Sequence, residues 1–434
     1  MAEPIRRAVA IFPGGSCQGL GDGDHLQNAI RLGLLLPRME LMDLCGDQMC
    51  RVHDHFTSRP SSDTMQFSSA FISAILALTG VLRAGSAAEE AQFISNARQL
   101  IYEGKRSGEG YFSSDGKMLI FQSEREGNPF YQIYLLDLKT GDIRRVSSGV
   151  GKTTCGFLRP DGKEAIFAST HLDPQATEKQ RRELEFRASG KQRRYSWDYD
   201  ASMDIFATKP DGGPLRRLTD APGYDAEGSF SPDGSHIVFT SLRDAFPLEK
   251  LSAEDRKRFE TDPAYFGEIY VMNADSSDQR RLTHAPGYDG GPFFSPDGQR
   301  IIWRRFDGMN ADIYTMKTNG SDTWRVTDFQ SISWAPFYHP SGEYVIFTSN
   351  KLGFSNFELF IVDTEGTREP VRVTFTDGFD GLPVFSPDGR KLSWASGRSE
   401  DGRPQIYLAD WNHEAAQGEL ARAPLRQAAN RQSP

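Results

Sequence analysis

From about residue 92 onward, short apolar runs ending in an aromatic recur along the chain, among them Ile237-Val-Phe239, Ile301-Ile-Trp303, Val345-Ile-Phe347 and Leu392-Ser-Trp394. Each follows a polar turn phrase. The six phrases are Phe112-Ser-Ser-Asp-Gly116, Leu158-Arg-Pro-Asp-Gly162, Phe230-Ser-Pro-Asp-Gly234, Phe294-Ser-Pro-Asp-Gly298, Tyr338-His-Pro-Ser-Gly342 and Phe385-Ser-Pro-Asp-Gly389. Proline presets φ, aspartate accepts from the backbone ahead and glycine supplies a positive φ. Each phrase is therefore expected to be a tight hairpin between two strands, a and b.

A second pattern marks strand c: Ile133-Tyr, Ile205-Phe, Ile269-Tyr, Ile313-Tyr, Leu359-Phe and Ile406-Tyr. A third marks strand d: Val146-Ser147, Leu218-Thr219, Leu282-Thr283, Val326-Thr327 and Val373-Thr374. From the d hydroxyl to the next turn Asp (Ser341 in one module) is 14 residues each time: 147 to 161, 219 to 233, 283 to 297, 327 to 341 and 374 to 388. Strand c to strand d is also 14, with 15 between Leu359 and Thr374. Length variation therefore falls between strands b and c.

The last module has a strand c, Gln405–Trp411, and no d phrase after it. Ile101, in Arg98-Gln-Leu-Ile-Tyr102, lies 14 residues before Asp115, in register with the d phrases. The pattern predicts an all-β fold: a six-bladed β-propeller over residues 91–412, with an N-terminal strand completing the last blade and two helical loop insertions. Such closure removes open sheet edges. An open stack of repeats is the alternative, and the register of the N-terminal strand argues against it.

Composition adds little to the fold and narrows the partners. Net charge is -9, the opposite of a phosphate-binding surface, so nucleic acid is not an expected partner. Of four cysteines, three precede residue 60 and only Cys155 lies in the repeats, so no disulfide framework is expected.

Residues 1–90 read as a leader. The apolar run from Met65 to Leu82, followed by Ala84-Gly-Ser-Ala-Ala88, has the outline of a secretory signal peptide over 65–88. On that reading translation starts at Met65 and residues 1–64 are upstream sequence. A buried helix of a small N-terminal domain is the other reading of the same run. It is too short for a stable membrane span. Residues 413–434 read as a disordered polar tail.

The Phe-Ser-Pro-Asp-Gly turns, the Ile-Tyr strands and the Arg-Arg-Leu-Thr strands (Arg216–Thr219, Arg280–Thr283) resemble the WD-repeat-like propellers of the TolB family over residues 92–411. The resemblance implies a periplasmic scaffold that binds a protein partner, or a regulatory propeller attached to a peptidase. No α/β domain of the TolB kind is read before the ring and no peptidase domain after Trp411.

Alternating strand direction puts the a–b and c–d turns on one face and the b–c and d–a loops on the other. Two b–c loops are enlarged, over about 171–203 and 243–267, and they are expected to pack together as a helical cap. Ser252-Ala-Glu-Asp255 in the second is a capping-box-like start to a short helix ending near Glu260. The d–a loops place Ser107, Thr153, Asp225, Asp289, Ser333 and Asp380 at one level. Glu109, Cys155, Glu227, Gly291, Ala335 and Leu382 follow two residues later. That ring near the pore mouth would take a hard cation such as calcium, or a cationic peptide end. The alternative is that each Asp caps its own turn.

The candidate binding residues are Arg106, Glu109, Thr153, Tyr224, Asp225, Glu227, Tyr288, Asp289, Trp334, Phe379 and Asp380, with His171, Arg193, Arg194 and Trp197 from the first insert. No catalytic residue is assigned. There is no Gly-x-Ser-x-Gly elbow, and His413-Glu-Ala-Ala-Gln417 lacks the second histidine of a zinc-protease helix. The expectation is a monomeric, secreted or periplasmic, non-catalytic propeller without a cofactor. It would dock a protein or peptide on its b–c/d–a face. The alternative is a regulatory part of a hydrolase.

Overall fold

The computed structural model describes residues 87–125, 127–191 and 199–426. They form twenty-four strands in six four-stranded antiparallel sheets. Blade one is β2 (Arg106–Phe112), β3 (Met118–Glu124), β4 (Gln132–Asp137) and β5 (Ile143–Arg145). Blade two is β6 (Thr153–Leu158), β7 (Ala165–Ser169), β8 (Asp204–Thr208) and β9 (Arg216–Arg217). Blade three is β10 (Asp225–Phe230), β11 (His236–Ser241), β12 (Glu268–Asn273) and β13 (Arg280–Arg281). Blade four is β14 (Tyr288–Phe294), β15 (Arg300–Asp307), β16 (Asn310–Lys317) and β17 (Trp324–Arg325). Blade five is β18 (Ser333–Tyr338), β19 (Tyr344–Ser349), β20 (Glu358–Asp363) and β21 (Val371–Arg372). Blade six is β22 (Asp380–Phe385), β23 (Lys391–Ser396), β24 (Gln405–Trp411) and, from the other end of the chain, β1 (Ile94–Gln99).

The predicted closure is present. Ile94 pairs with Trp411 and Gln99 with Tyr407. Phe93 stacks on Trp411, whose indole N–H donates to the Tyr344 hydroxyl at 2.8 Å in the neighbouring blade.

The constant 14-residue c-to-d spacing has a physical cause. In five blades the d-strand hydroxyl accepts the first free N–H of strand c: Ser147 from Ile133 at 3.0 Å, Thr219 from Ile205 at 3.0 Å and Thr283 from Ile269 at 2.8 Å. Thr327 and Thr374 do the same for Ile313 and Leu359, each at 2.9 Å. The extra residue in blade five is absorbed in its c–d turn, where Asp363 accepts from the backbone of Thr367 and Arg368, and the clasp is unchanged. The closing blade has Ile101 at the d-hydroxyl position, and Ser107 of blade one accepts from Ile406 at 3.3 Å instead.

Strand-b aromatics form the packing core of each blade. Phe121, Phe167, Phe239, Trp303, Phe347 and Trp394 are all fully buried. Each lies opposite an aromatic of strand c, with ring centroids 5.8 Å apart for Phe239 and Tyr270.

Two expectations need correction. Residues 413–422, read as disordered tail, form a helix, α3 (His413–Arg422). Asn412 caps it by accepting from the Ala415 N–H, and Ala416 and Leu420 join the core around Trp411 and Phe93. A polar composition concealed a short amphipathic face. Beyond it, Leu425 bridges to Arg368. The inserts do carry helices, α1 (Ala176–Ala188) and α2 (Ala253–Thr261), with Ser252 accepting from the Asp255 N–H at 3.0 Å as its sequence implied. They meet only in part: Tyr199 packs edge-on against Phe259, while α1 lies over blade one through Arg187, which pairs with Glu124 and donates to the Pro129 carbonyl. The proposed signal peptide and start site lie outside the described residues.

Trp411→Ala should remove the contact that locks the closing blade to its neighbour. A loss of about 3–5 kcal/mol is expected in urea unfolding; a loss below 1 kcal/mol would mean that this contact is not what holds the ring shut.

Candidate functional site

Each inner strand carries a β-bulge at the same place. In blade one, Glu109 and Gly110 stand opposite the single residue Phe121, between the pairs Gly108–Gln122 and Tyr111–Ile120. The other five inner strands shift register alike. The first bulge residue is left-handed in every blade: φ is 50° at Glu109, 54° at Cys155, 58° at Glu227, 62° at Gly291, 50° at Ala335 and 56° at Leu382. A bulge re-aims a side chain. Here all six positions are partly exposed, while the second bulge residue behind each is buried. They form a ring around the axis.

Two residues deeper stand Tyr111, Phe157, Ser229, Phe293, Phe337 and Val384. Tyr111 and Phe293 come from opposite blades, and their rings meet at 5.5 Å. Phe157 and Phe337 pack against both. The axial channel is thus closed by an aromatic plug, and the bulge ring forms a funnel above it.

The funnel is two-sided. On one arc lie Glu109, Cys155 and Glu227; on the other lie Gly291, Ala335 and Leu382. Glu227 accepts from Arg304 at 2.6 Å, Tyr288 at 2.9 Å, Thr240 at 3.0 Å and the Gly291 N–H at 2.7 Å. The glycine pair Gly290-Gly291 makes this possible: a Cβ on Gly290 would come within 2.6 Å of the Glu227 carboxylate, and one on Gly291 within 2.2 Å of the Arg304 guanidinium. Burial alone would raise the Glu227 carboxyl, but Arg304 and these donors outweigh it and hold it below the usual range. Glu109 has a weaker set, the Cys155 thiol and backbone N–H with Arg304 at longer range, and burial outweighs it. Its Oε2 is buried without a hydrogen-bond partner, and burial pushes its carboxyl up to about 7. Burial, Glu109 and Glu227 push the Cys155 thiol well up, so it is no ready nucleophile.

The aspartate ring behaves differently from both sequence expectations. Asp225 accepts from Arg243 at 2.8 Å, Asp289 from Arg305 at 2.7 Å, and Asp380 from Arg398 at 2.8 Å and the Trp394 indole at 2.9 Å. All three are fully buried. They neither offer an oxygen cage to calcium nor cap their own turns; each is stapled to an arginine of its own blade, Arg243 and Arg398 just past strand b and Arg305 within it. Among the described residues, no group of three or more His, Cys, Asp or Glu is placed to hold a metal ion.

The remaining candidates divide. Arg106 pairs with Glu124 at 3.0 Å and covers Tyr131. Thr153 is buried and donates to the Tyr131 carbonyl. Tyr224 is buried among Met203, Ala226 and Leu242. Trp334 and Phe379 pack together with Phe357 between blades five and six, and the Trp334 indole N–H is buried without a partner. His171 stacks edge-on against Phe206 and contacts the Ser169 hydroxyl. Arg193, Arg194 and Trp197 lie outside the described residues.

No family model matches the chain. It is 26% identical over 122 residues to the "Protein TolB homolog" of Chlorobium luteolum and 25% identical over 124 residues to that of Chlorobium chlorochromatii. The chain is a six-bladed β-propeller with a stretch similar to TolB homologues. These matches take in 23% and 24% of the chain and 28% of each relative's length. Its coordinates are also similar to those of the putative TolB from Agrobacterium tumefaciens, with a TM-score of 0.49 and 22% identity, over 73% of this chain and 94% of that one.

One signal of the propeller was missed in the sequence. Phe121-Gln-Ser-Glu-Arg125, Phe167-Ala-Ser-Thr-His171, Phe239-Thr-Ser-Leu-Arg243, Phe347-Thr-Ser-Asn-Lys351 and Trp394-Ala-Ser-Gly-Arg398 share an aromatic, a serine and a basic residue at fixed spacing. In three blades the basic residue lies over the aromatic pair: Arg125 is 4.0 Å from the Tyr134 ring, Arg243 4.9 Å from Tyr270 and Arg398 5.1 Å from Trp394, while Lys351 lies over Phe329. His171 is the member of this series in blade two, which gives it a packing role. Arg304 was missed as well; only its alternation with Trp303 marked it as facing inward from strand b.

Glu109 gives the funnel a pH signature. Its carboxyl titrates near 7 when folded and near 4.5 when unfolded. Below the lower value both states are protonated and the group contributes nothing. As pH rises through the window the unfolded chain releases its proton first, so stability falls, and the full cost is present above about 7. Glu109→Gln should match the parent at pH 4 and exceed its unfolding free energy by about 1–3 kcal/mol at pH 8. Equal stability of the two proteins at both pH values would remove the buried, unpaired carboxylate from the account.

Proposed function

We propose that this protein is a secreted or periplasmic binding propeller that docks a protein or peptide partner on its b–c/d–a face, with the funnel at the centre of the contact. The observation that carries the reading is where apolar side chains remain uncovered. Among the described residues eight large hydrophobics are exposed: Tyr102, Val150, Leu172, Leu184, Met309, Leu352, Phe354 and Leu425. All but Leu425 lie in b–c or d–a loops or on α1. Clustered exposed apolar groups mark interaction surfaces, whereas scattered ones carry no such meaning. The opposite face carries the short a–b turns, whose polar groups bond to one another as Ser231 and Asp233 do at 2.6 Å, with the c–d turns and the segment around Leu425 that pairs with one of them.

The likeness to TolB homologues supports the same reading. Among the described residues no helix is long and apolar enough to cross a membrane. A secreted location rests on the signal-like segment over residues 65–88. Sequencing the N-terminus of the native protein is expected to find a mature start near Ala87 or Ala88; a mature chain beginning at Met1 would remove that support.

The face is tested by substitution. Leu352→Glu with Phe354→Glu changes two exposed side chains, so stability should move by about 0.5 kcal/mol or less per site. Capture of the partner from an envelope extract should be lost, as it should on replacing residues 175–198 with a glycine-serine linker. A control carrying Asp211→Lys in a c–d turn of the other face should capture normally. Capture that survives the first two changes, or that fails only with the control, would overturn the reading.

A further inference from the structure

The geometry points to the funnel as a seat for one positively charged group of a peptide ligand, an ammonium held against Glu109 with its aliphatic stem on Ala335 and Leu382. This deepens the docking-face reading and rests on it. Three observations carry the inference. The first is the valence count at the bulge ring. Both oxygens of Glu227 are engaged, and the Arg304 guanidinium is committed to Glu227 and lies over the Tyr288 ring, 5.1 Å from its centroid. Glu109 Oε2 is the carboxylate oxygen at this level with no hydrogen-bond partner. A buried acceptor without a donor is costly, and a ligand that supplies an ionised donor recovers that cost in a charge-assisted bond.

The second observation is the shape of the site. The aromatic plug closes the channel two residues below Glu109, so the funnel is a dead end. The third is the division of the ring into an acidic and an apolar arc. A lysine-like group is apolar along its stem and charged at its tip, and such side chains settle where one wall is apolar and the other charged. A carboxylate would meet Glu109 and Glu227 with only the already engaged Arg304 to receive it.

The charged and titratable groups facing Glu109 are Cys155 from blade two, Glu227 from blade three and Arg304 from blade four, with Tyr111 on its own strand. With Glu109 protonated the set Glu109, Glu227 and Arg304 sums to zero; with Glu109 ionised it sums to -1. Ligand uptake should therefore be coupled to release of the Glu109 proton.

The test uses the full chain and four small probes followed by NMR titration. They are Nα-acetyl-lysine N-methylamide, norleucine N-methylamide with its free α-amine, the neutral Nα-acetyl-norleucine N-methylamide, and Nα-acetyl-norleucine with a free carboxylate. At pH 8 one of the two cationic probes should bind at least about tenfold more tightly than the neutral one, and which of them does so tells a side-chain ammonium from a chain terminus. Affinity should fall about tenfold from pH 8 to pH 6 as Glu109 takes up its proton. Glu109→Gln should abolish both the preference and the pH dependence, and Glu109→Asp should retain the preference. Equal binding of cationic and neutral probes, tighter binding of the carboxylate, or an unchanged preference in Glu109→Gln would each overturn the proposal. Loss of capture in Leu352→Glu/Phe354→Glu without any ammonium preference would sink the seat alone. Ammonium binding through Glu109 with capture intact in that variant would sink the docking face alone.

Discussion

The ring depends on one strand pairing, that of Ile94–Gln99 with Gln405–Trp411. Six sheets arranged about an axis leave one seam, and a seam made of backbone hydrogen bonds is the only kind that satisfies both edges. Sharing blade six between the chain ends makes the seam a sheet like the others. Once it is closed, the inner strands have no freedom to splay. They must converge on an axis while their outer neighbours diverge, and each inner strand meets that demand with the same bulge.

Charge is handled within blades before any reaches the axis. The buried aspartates of strands β10, β14 and β22 are met by Arg243, Arg305 and Arg398, and the guanidiniums also lie over the aromatic pairs of strands b and c. A lone buried carboxylate would be expensive, and an arginine that is at once paired and stacked is the side chain suited to hold it. Buried acids at the start of strand c follow a related pattern: Glu268 and Glu358 accept from Arg281 and Arg372 and from the clasp hydroxyls of Thr283 and Thr374. These staples make the Asp ring a feature of blade construction. The bulge ring differs, because its Glu109 has no such staple.

The ring was legible because its determinants are local. A Pro-Asp-Gly turn, an Ile-Tyr strand and a hydroxyl 14 residues on are each readable in a few residues, and the clasp hydrogen bond explains why the spacing is constant. The bulge left a trace too. Gly110, Gly156, Gly228, Pro292, Pro336 and Pro383 sit in the middle of inner strands, where a regular ladder disfavours both residue types. Glu109 and Glu227, read from the sequence as near the pore mouth, stand at the first bulge position of their inner strands. What escaped was pairing across blades. Nothing near Glu227 in sequence announces Arg304, which is 77 positions away, or that Asp225 would be consumed by Arg243. Helix α3 escaped because its stability comes from seating Ala416 and Leu420 on Trp411 and its neighbours, and its polar composition gave no sign of that.

Quasi-symmetry also determines what the centre can do. Six equivalent positions with identical side chains would give a symmetric ring suited to an ion or to nothing. Here the positions are equivalent in backbone and unlike in side chain: two acids and a thiol on one side, and glycine, alanine and leucine on the other. Gly291 is the pivot of that difference. Its missing Cβ admits Arg304, which pairs with Glu227, and that leaves Glu109 as the bulge-ring carboxylate with an oxygen lacking a hydrogen-bond partner. The plug of Tyr111, Phe157, Phe293 and Phe337 closes the axis beneath this carboxylate, on the side away from the b–c and d–a loops. The same backbone repeat that makes the fold regular thus lets a few side-chain differences make the two sides of the bulge ring unlike.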